Sequence, residues 1–110
     1  MSLTKYQFLS LAALLRHPMH PYAVRQEIIQ LTLFKVWPSK TTVHKNLQKL
    51  QAAGYIQECL SDPHYWLKAH RGVPYEITNE GYWIIRKELA MYHLVFSKSW
   101  QRLAELDDRI

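Results

Sequence analysis

Two segments in the first third of the chain carry apolar residues at the three- and four-residue spacing of a helix. We predict a first helix over Leu3–Arg16, which Pro18 ends because proline clashes with the preceding helical turn. A second helix is predicted from Pro21, where the missing amide hydrogen is harmless. Thr32–Pro38 is then a connection. The residues that recur at this spacing in the first helix are Phe8, Leu11, Ala12 and Leu15. In the second helix, Val24, Ile28 and Leu31 are expected to form the buried stripe.

A third segment predicts a helix with one apolar and one polar face. Ser39 stands at the N-cap position, where its hydroxyl can accept a hydrogen bond from a backbone amide of the first turn. Gly54 stands where a helix ends in a left-handed residue, a conformation that glycine adopts without strain. Val43, Leu47 and Leu50 are spaced i, i+4 and i+7, so we expect this helix to bury one narrow stripe.

Two short strand-like runs, Tyr55–Leu60 and Tyr75–Ile77, follow the third helix, with turn signals at Asp62-Pro63 and Arg71-Gly72 between them. Pro74 confines the second run to a sheet edge or to the start of a strand. The order of elements predicts an α+β fold, mainly α with a small β-hairpin. Helices two and three form a helix-turn-helix in this fold, and the hairpin is its wing.

The last predicted helix begins after Thr78 as N-cap and continues without a breaker beyond Gly81 to about Asp107. A helix of this length spans about 43 Å, longer than so small a domain can cover. Its apolar residues recur in alternating steps of three and four, which is a heptad seam interrupted only by Ser99. We therefore divide the single globular unit into a winged helix-turn-helix over residues 1–78 and a dimerisation helix over residues 79–110.

The seam is expected to pair two copies of the chain, although a helix lying on its own domain would show a similar pattern. The predicted dimer interface consists of Ile85, Leu89, Tyr92, Phe96, Ser99, Leu103, Leu106 and Ile110. Tyr82 begins the same series of apolar steps.

Charge is distributed unevenly along the chain. Seven basic residues precede Gln57 and only one acidic residue, Glu27, does. A basic half of this kind indicates a polyanionic partner, and the third helix is its clearest surface because no acid lies between Ser39 and Ala53. We expect double-stranded DNA to contact the polar face of that helix, namely Lys40, Thr41, Thr42, His44, Lys45, Gln48 and Lys49. In the wing, the expected contacts are Lys68, His70 and Arg71, although a solvated loop would explain them nearly as well.

Other chemistry finds little support. Cys59 is the single cysteine, so neither an internal disulfide nor a cysteine-cluster zinc site can form. The histidines lack metalloprotease spacing, and nucleophile elbows and phosphate-binding glycine loops are absent, so we expect no metal, no cofactor and no enzymatic activity. No apolar run approaches the roughly 18 residues of a membrane span, and we expect a cytoplasmic protein without a membrane partner.

Aromatic residues are concentrated in the last helix. Tyr92, Phe96 and Trp100 could bind a small planar aromatic effector at the dimer interface, but aromatic residues in a helix more often form a core or an interface. Both interpretations stay open.

The stretch Leu15–Glu88 resembles the PadR family of winged-helix repressors, and three motifs in order carry the resemblance. The first is Pro18, Met19, His20, Pro21 and Tyr22, which opens the second helix. The second is the recognition helix, matched by Thr41-Thr42-Val43-His44, Leu47, Leu50 and Gly54-Tyr55-Ile56. The third follows the wing as Tyr75, Ile77, Thr78 and Gly81.

The resemblance implies a homodimeric repressor on a palindromic operator, released in some members by phenolic acids or drugs. This sequence departs from the family pattern at Pro21 for glycine, at His44 for tyrosine and at Gly72-Val73-Pro74 for Arg-Lys-Tyr in the wing. Where multidrug-sensing members carry a pore tryptophan, this chain has Tyr92. The alternatives are a winged helix that serves protein assembly or RNA binding, or a small ligand-binding dimer without a DNA function.

Overall fold

The computed structural model describes residues 3–59 and 73–109. Within these residues, four helices and two strands follow one another in the predicted order. They are α1 (Lys5–Leu14), α2 (Pro21–Leu31), α3 (Lys40–Ala52), β1 (Ile56–Glu58), β2 (Tyr75–Ile77) and α4 (Asn79–Arg109). The predicted fold class, mainly α with a small antiparallel hairpin, is confirmed.

Side-chain caps determine where the first two helices begin. Thr4 and Gln7 form a capping box at α1, in which each side chain accepts a hydrogen bond from the other residue's backbone amide. The helix therefore begins at Lys5, and it ends at Leu14, so the predicted range from Leu3 to Arg16 was too long at both ends. His20 caps α2 by accepting a hydrogen bond from the amide of Ala23, and Pro21 is the first helical residue, as predicted.

α1 lies at the centre of the domain and packs against α2, α3 and α4. Because it is covered from several sides, its buried residues include Ser10 and Ala13 as well as Leu11 and Leu14. Leu31 at the end of α2 is 51% exposed, so the prediction that it is buried was wrong. Leu15, after the end of α1, is 44% exposed. Phe8 and Ala12 are half-buried. The buried core consists of Leu3, Leu11, Ala13, Leu14, Met19, Val24, Ile28, Val43, Leu47, Leu50, Ile56 and Ile85.

The two strands pair antiparallel, with Ile56 opposite Ile77 and Glu58 opposite Tyr75. Met19 adds a bridge on the other side of β2, exchanging backbone hydrogen bonds of 3.0 and 2.7 Å with Tyr75. The second predicted strand is confirmed, whereas the first is shorter than predicted. The predicted wing residues Lys68, His70 and Arg71 lie outside the described residues, as does Leu60 at the end of the predicted first strand.

α4 starts inside the domain and then leaves it. Gly81, Ile85 and Glu88 are buried, and a carboxylate oxygen of Glu88 accepts a 2.9 Å hydrogen bond from the amide of Leu3. From Leu89 to Arg109 every residue is exposed. With 31 residues, the helix is about 46 Å long, and it contributes to the 61 Å long dimension of the chain. Among the described helices, α4 included, none is both long and apolar enough to cross a membrane.

Candidate nucleic-acid interface

α3 is anchored on one face and exposed on the other. Val43, Leu47 and Leu50 are each at most 2% exposed, which confirms the predicted stripe. Ser39 caps the helix by accepting a 3.1 Å hydrogen bond from the amide of Thr42. At the other end Gly54 has φ +82°, and the amides of Gly54 and Tyr55 donate to the carbonyls of Gln51 and Leu50. This is a Schellman motif, so both ends of the helix are fixed by local hydrogen bonds.

The predicted DNA-contacting residues of α3 do not all occupy the same part of its surface. At 3.6 residues per turn, Thr41, Lys45 and Gln48 lie opposite the buried stripe, and all three are exposed. Lys49 is also exposed, but it lines a small cleft together with Gln7 of α1 and therefore lies toward that helix. Thr41, Lys45 and Gln48 therefore form the centre of the polar face.

Thr42 has a structural role that the sequence did not reveal. Its side-chain oxygen accepts a 2.9 Å hydrogen bond from the hydroxyl of Ser39, and its carbonyl accepts a 2.7 Å hydrogen bond from Asn46. The residue is half-buried. Because the hydroxyl of Thr42 is engaged with Ser39, Thr41 is the better placed of the two threonines to reach a base.

Lys40 and His44 face the start of α2. Together with Pro21, Tyr22, Arg25 and Val43 they line an open cleft of about 370 Å³. Sequence reasoning missed Tyr22 and Arg25 as members of this surface. The available signal was their position on α2, since Tyr22 and Arg25 are three residues apart and therefore share a helical face.

Arg25 also fixes α2 relative to α3. Its Nε donates a 2.7 Å hydrogen bond to the carbonyl oxygen of Pro38, the residue before the α3 N-cap. This bond ties the side of α2 to the start of the next helix across the turn. The side chain of Arg25 is therefore held in one position at the edge of the cleft by this hydrogen bond.

The charge of this face is not neutralised nearby. Glu27, the only acidic residue before Glu58, forms a 3.2 Å ion pair with Arg16. Over residues 3–59 and 73–109, none of the lysines of α3 takes part in a salt bridge. The face thus presents uncompensated positive charge beside hydroxyl, imidazole and amide groups, which is the combination that binds phosphates and reads base edges.

The predicted dimer seam on α4 is available along most, but not all, of its length. The exposed members are Leu89, Tyr92, Phe96, Ser99, Leu103 and Leu106. Ile85 is only 1% exposed and belongs to the core of its own domain, so its assignment to the dimer interface was wrong. Its spacing fits the seam because the same face of α4 packs in the core at Ile85 and is exposed from Leu89 onward. Ile110 lies outside the described residues.

A second set of exposed apolar residues widens the apolar surface of α4. Met91, Leu94 and Val95 are between 48% and 56% exposed. They were missed because they do not lie on the heptad seam, although their three- and four-residue spacing places them together on the neighbouring face.

The three candidate effector-binding residues do not form one continuous group. Tyr92 packs its ring at a centroid distance of 5.1 Å against Phe8 of α1 in an edge-to-face arrangement. Phe96 and Trp100 instead pack against each other, at 5.9 Å. Tyr92 is thus held by its own domain, while the other two aromatic residues lie farther along the exposed part of the helix.

Comparison with known proteins supports the fold. No family model matches this chain, and no curated protein matches its sequence. Among solved structures, a PadR family transcription regulator from hypervirulent Clostridium difficile R20291 is similar with a TM-score of 0.71 and 15% identity, over 91% of this chain and 99% of that one.

Two further solved structures are similar over most of their length. A transcriptional regulator from Clostridium thermocellum has a TM-score of 0.69 and 19% identity, over 87% of each chain. RosR from H. salinarum has a TM-score of 0.66 and 19% identity, over 98% of this chain and 96% of that one. At these identities the likeness shows the fold, and the PadR-like winged-helix fold expected from the sequence is confirmed.

Proposed function

We propose that this chain is a sequence-specific DNA-binding transcription regulator that acts as a homodimer. The observation that carries the proposal is the exposed face of α3, which presents lysines without any acid on a helix firmly anchored by its opposite stripe. A helix of this width fits the major groove of B-DNA. The two similar structures from Clostridium species are transcription regulators, which favours the same role here.

Two kinds of DNA contact are proposed for α3, one to phosphates and one to base edges. Lys45 lies opposite the buried stripe and supplies attraction to phosphates, the sequence-independent part of affinity. Thr41, His44 and Gln48 carry groups that can hydrogen-bond to base edges. His44 also lines the cleft between α2 and α3, and Tyr22 and Arg25 on the α2 side of that cleft would contact the DNA backbone.

The dimer is proposed to form through α4 beyond Tyr92. Large apolar side chains continue along this helix, and Phe96, Leu103 and Leu106 are 63%, 46% and 55% exposed in the single chain. Apolar surface of this extent marks an interaction site. Two copies related by a two-fold axis would place two α3 helices on successive turns of the major groove, so the operator is expected to be palindromic.

Repression and effector release complete the proposal. A dimer bound across a promoter would exclude polymerase, and a planar aromatic ligand at Phe96 and Trp100 would change the packing of the two α4 helices. Tyr92 would border this site from the domain side, because its ring is fixed against Phe8. Binding of one ligand can alter the affinity for another by a typical factor of 5–150, which suffices to release DNA.

The proposal is tested with a DNA duplex selected by the protein from a random pool and with an RNA duplex of the same sequence. We expect tight, salt-dependent binding to DNA and much weaker binding to RNA, whose major groove is too deep and narrow for a helix. Lys45→Ala should weaken DNA binding and flatten the slope of log K against log salt by about 0.9 per lost phosphate contact. Lys98→Ala, an exposed lysine on α4 two residues from Phe96 and off the seam, is the matched control. Equal binding of the two duplexes would instead favour the RNA alternative.

A further inference from the structure

Three large apolar side chains are exposed in the turn between α2 and α3. Leu33 is 77% exposed, Phe34 63% and Trp37 60%. We refer to Leu33, Phe34 and Trp37 as the turn cluster. Unlike the apolar residues of α4, they lie on the globular part of the chain, beside α3. The proposed contacts of α3 and the proposed dimer seam leave them unexplained, and exposed apolar clusters on a protein surface mark interaction sites.

The turn cluster is built on an unusual backbone. Leu33 and Phe34 have φ values of 52° and 65°, in the left-handed region that residues other than glycine, asparagine and aspartate seldom adopt. Both are held there by their amides, which donate to the carbonyls of Gln30 and Ile29 at 3.0 and 2.8 Å. Strained backbone that the surrounding structure maintains is concentrated at functional sites.

Side chains hold the rest of the turn in one conformation. The hydroxyl of Thr32 donates a 2.9 Å hydrogen bond to the carbonyl of Ile28 and accepts one of 3.1 Å from the amide of Val36. The indole nitrogen of Trp37 donates a 2.7 Å hydrogen bond to the carbonyl of Phe34. The ring centroids of Phe34 and Trp37 are 6.2 Å apart. The cluster is therefore presented as a fixed surface.

Its position places the cluster beside the proposed DNA-binding helix. Trp37 is two residues before the N-cap Ser39, and the carbonyl of the intervening Pro38 accepts the hydrogen bond from Arg25. In helix-turn-helix proteins the N-terminal residues of the recognition helix contact the bases. A surface that immediately precedes this helix end comes close to the same stretch of DNA.

The charge around the cluster indicates which partner it meets. Lys35 lies within the turn and Lys40 just after it, while no acidic residue occurs from Ile28 to Gln57. A second copy of the chain seated on the cluster would bring these lysines close to their own counterparts, which is unfavourable. A polyanion is favoured by the same charges, and the apolar group that DNA presents in its major groove is the C5-methyl group of thymine.

We infer that the turn cluster is a second DNA-contacting surface, whose apolar side chains pack on thymine methyl groups next to the base pairs read by α3. The inference rests on the proposed function and adds a specificity element to it. Lysine contacts give affinity without regard to sequence, whereas a methyl contact distinguishes thymine from the other bases.

The test uses variants that keep the backbone of the turn. Leu33→Asn and Phe34→Asn remove the apolar groups but retain a residue that tolerates the left-handed conformation. The DNA is a duplex selected by the wild-type protein from a random pool, in which thymines are replaced one at a time by deoxyuridine, so that only a methyl group is lost. At one or more positions at the edge of each half-site, we expect wild-type affinity to fall about fourfold, equivalent to about 0.8 kcal/mol per methyl group.

On the unmodified duplex, Phe34→Asn should lose affinity by a similar factor and should not respond further to deoxyuridine at those positions. Its slope of log K against log salt should equal that of the wild type, because no phosphate contact has changed. Leu15→Asn, which removes another exposed leucine from the end of α1, is the control and should bind normally.

Three results would overturn the inference. One is a wild-type protein that binds deoxyuridine and thymine duplexes equally at every position. Another is a Phe34→Asn variant that loses affinity while remaining as sensitive to deoxyuridine as the wild type. The last is a change in the oligomeric state of either asparagine variant, measured by sedimentation, which would show that the cluster is an interface between two copies of the chain. Failure of the proposed function is recognised separately, since the wild-type protein would then show no salt-dependent DNA binding.

Discussion

The hydroxyl of Thr78 donates a 2.6 Å hydrogen bond to the carbonyl oxygen of Gly54, joining the residue before α4 to the residue that ends α3. The same hydroxyl accepts a 3.1 Å hydrogen bond from the amide of Gly81 in the first turn of α4. The amide of Thr78 donates to the carbonyl of Tyr55 at 3.1 Å. The proposed DNA-reading helix and the proposed dimerisation helix therefore share a junction built from these three hydrogen bonds.

We expect Thr78→Val to destabilise the fold by about 1–2 kcal/mol, because it removes the N-cap oxygen and the hydrogen bond to Gly54 while preserving the shape of the side chain. Urea unfolding followed by circular dichroism measures the change. Thr78→Ser keeps the hydroxyl and should stay close to wild type. If serine and valine variants were equally unstable, the hydroxyl would not be the source of the effect.

Gly81→Ala is expected to destabilise the protein although alanine is the better helix former. A Cβ atom at this position would overlap the carbonyl oxygen of Tyr55 and lie 2.8 Å from Cγ1 of Ile77. Overpacking of this kind typically costs about 1–3 kcal/mol, whereas the gain in helix propensity is only about 1 kcal/mol. Steric overlap should prevail because the nearest atom belongs to the backbone.

Gly54 provides the matched control for this prediction. A Cβ atom there meets nothing within 4 Å, so only the positive φ of 82° opposes substitution. Gly54→Asn should therefore recover much of the stability lost in Gly54→Ala, while Gly81→Asn should be no better than Gly81→Ala. Thermal unfolding of the four variants would decide, and equal behaviour at the two positions would contradict the steric argument.

Local signals explain why much of the fold could be predicted from the sequence. Ser39 and Gly54 each determine a helix end through hydrogen bonds to residues three or four positions away, so α3 was predicted almost to the residue. Thr78 acted in the same way for α4. Pro21 marked the start of α2 for a different reason, because proline is suited to the first helical position. The three- and four-residue spacing on α4 likewise depends on the sequence alone.

Features that depend on tertiary packing could not be predicted in this way. The burial of Ile85 requires knowledge of where α4 leaves the domain, and the contact of Arg25 with Pro38 joins residues 13 positions apart. A connection over Thr32–Pro38 was predicted, but Leu33 and Phe34 adopt left-handed conformations that their residue types disfavour, so its backbone conformation was not. The cap at Thr42 was missed because a threonine on a polar face looks equally suited to solvent or to a base.

His44→Ala is expected to relax sequence preference without changing the salt dependence of DNA binding. The imidazole is exposed near the start of α3 and can donate to or accept from a base edge. Losing one good base contact should reduce discrimination by about 1–3 kcal/mol at one base pair of each half-site. Selection from a random pool with the wild type and the variant would reveal the position. A variant with unchanged preference and a flatter salt slope would make His44 a phosphate contact.

Ending the chain after His93 should give a folded monomer. The contacts of α4 with the domain, including Ile85 in the core and Tyr92 against Phe8, are retained. The deleted residues as far as Arg109 are exposed in the single chain. Each large apolar side chain among them would contribute roughly 1.5–3 kcal/mol when fully buried in a dimer. Sedimentation should show a dimer for the full chain and a monomer for the truncated one.

A full-length variant guards against artefacts of truncation. Leu103→Glu places a charge within the exposed seam, and we expect this variant to be monomeric with an unchanged circular dichroism spectrum. A full-length wild-type protein that sediments as a monomer at tens of micromolar would refute dimerisation through α4.

The last prediction concerns a planar aromatic effector near Phe96 and Trp100. These rings already pack edge to face at 5.9 Å within one chain, and Ser99, the one small residue of the seam, lies between them in sequence. A flat ligand could stack there if the two α4 helices leave a gap at the serine. Phenolic acids and planar cationic dyes, titrated while tryptophan fluorescence is followed, should quench the wild-type protein, and much less so Trp100→Phe.

The structure also predicts how such a ligand would release DNA. Because Thr78 joins α4 to the end of α3, a change in the packing of α4 should reach the DNA-reading helix through that hydrogen bond. In Thr78→Val the same ligand should quench fluorescence with nearly wild-type affinity but lower operator affinity less than it does in the wild type. Quenching that persists unchanged in Trp100→Phe would locate the ligand elsewhere. An absence of any response across the panel would leave Phe96 and Trp100 as residues of the dimer interface, because their exposure in the single chain would then be explained by the partner helix alone.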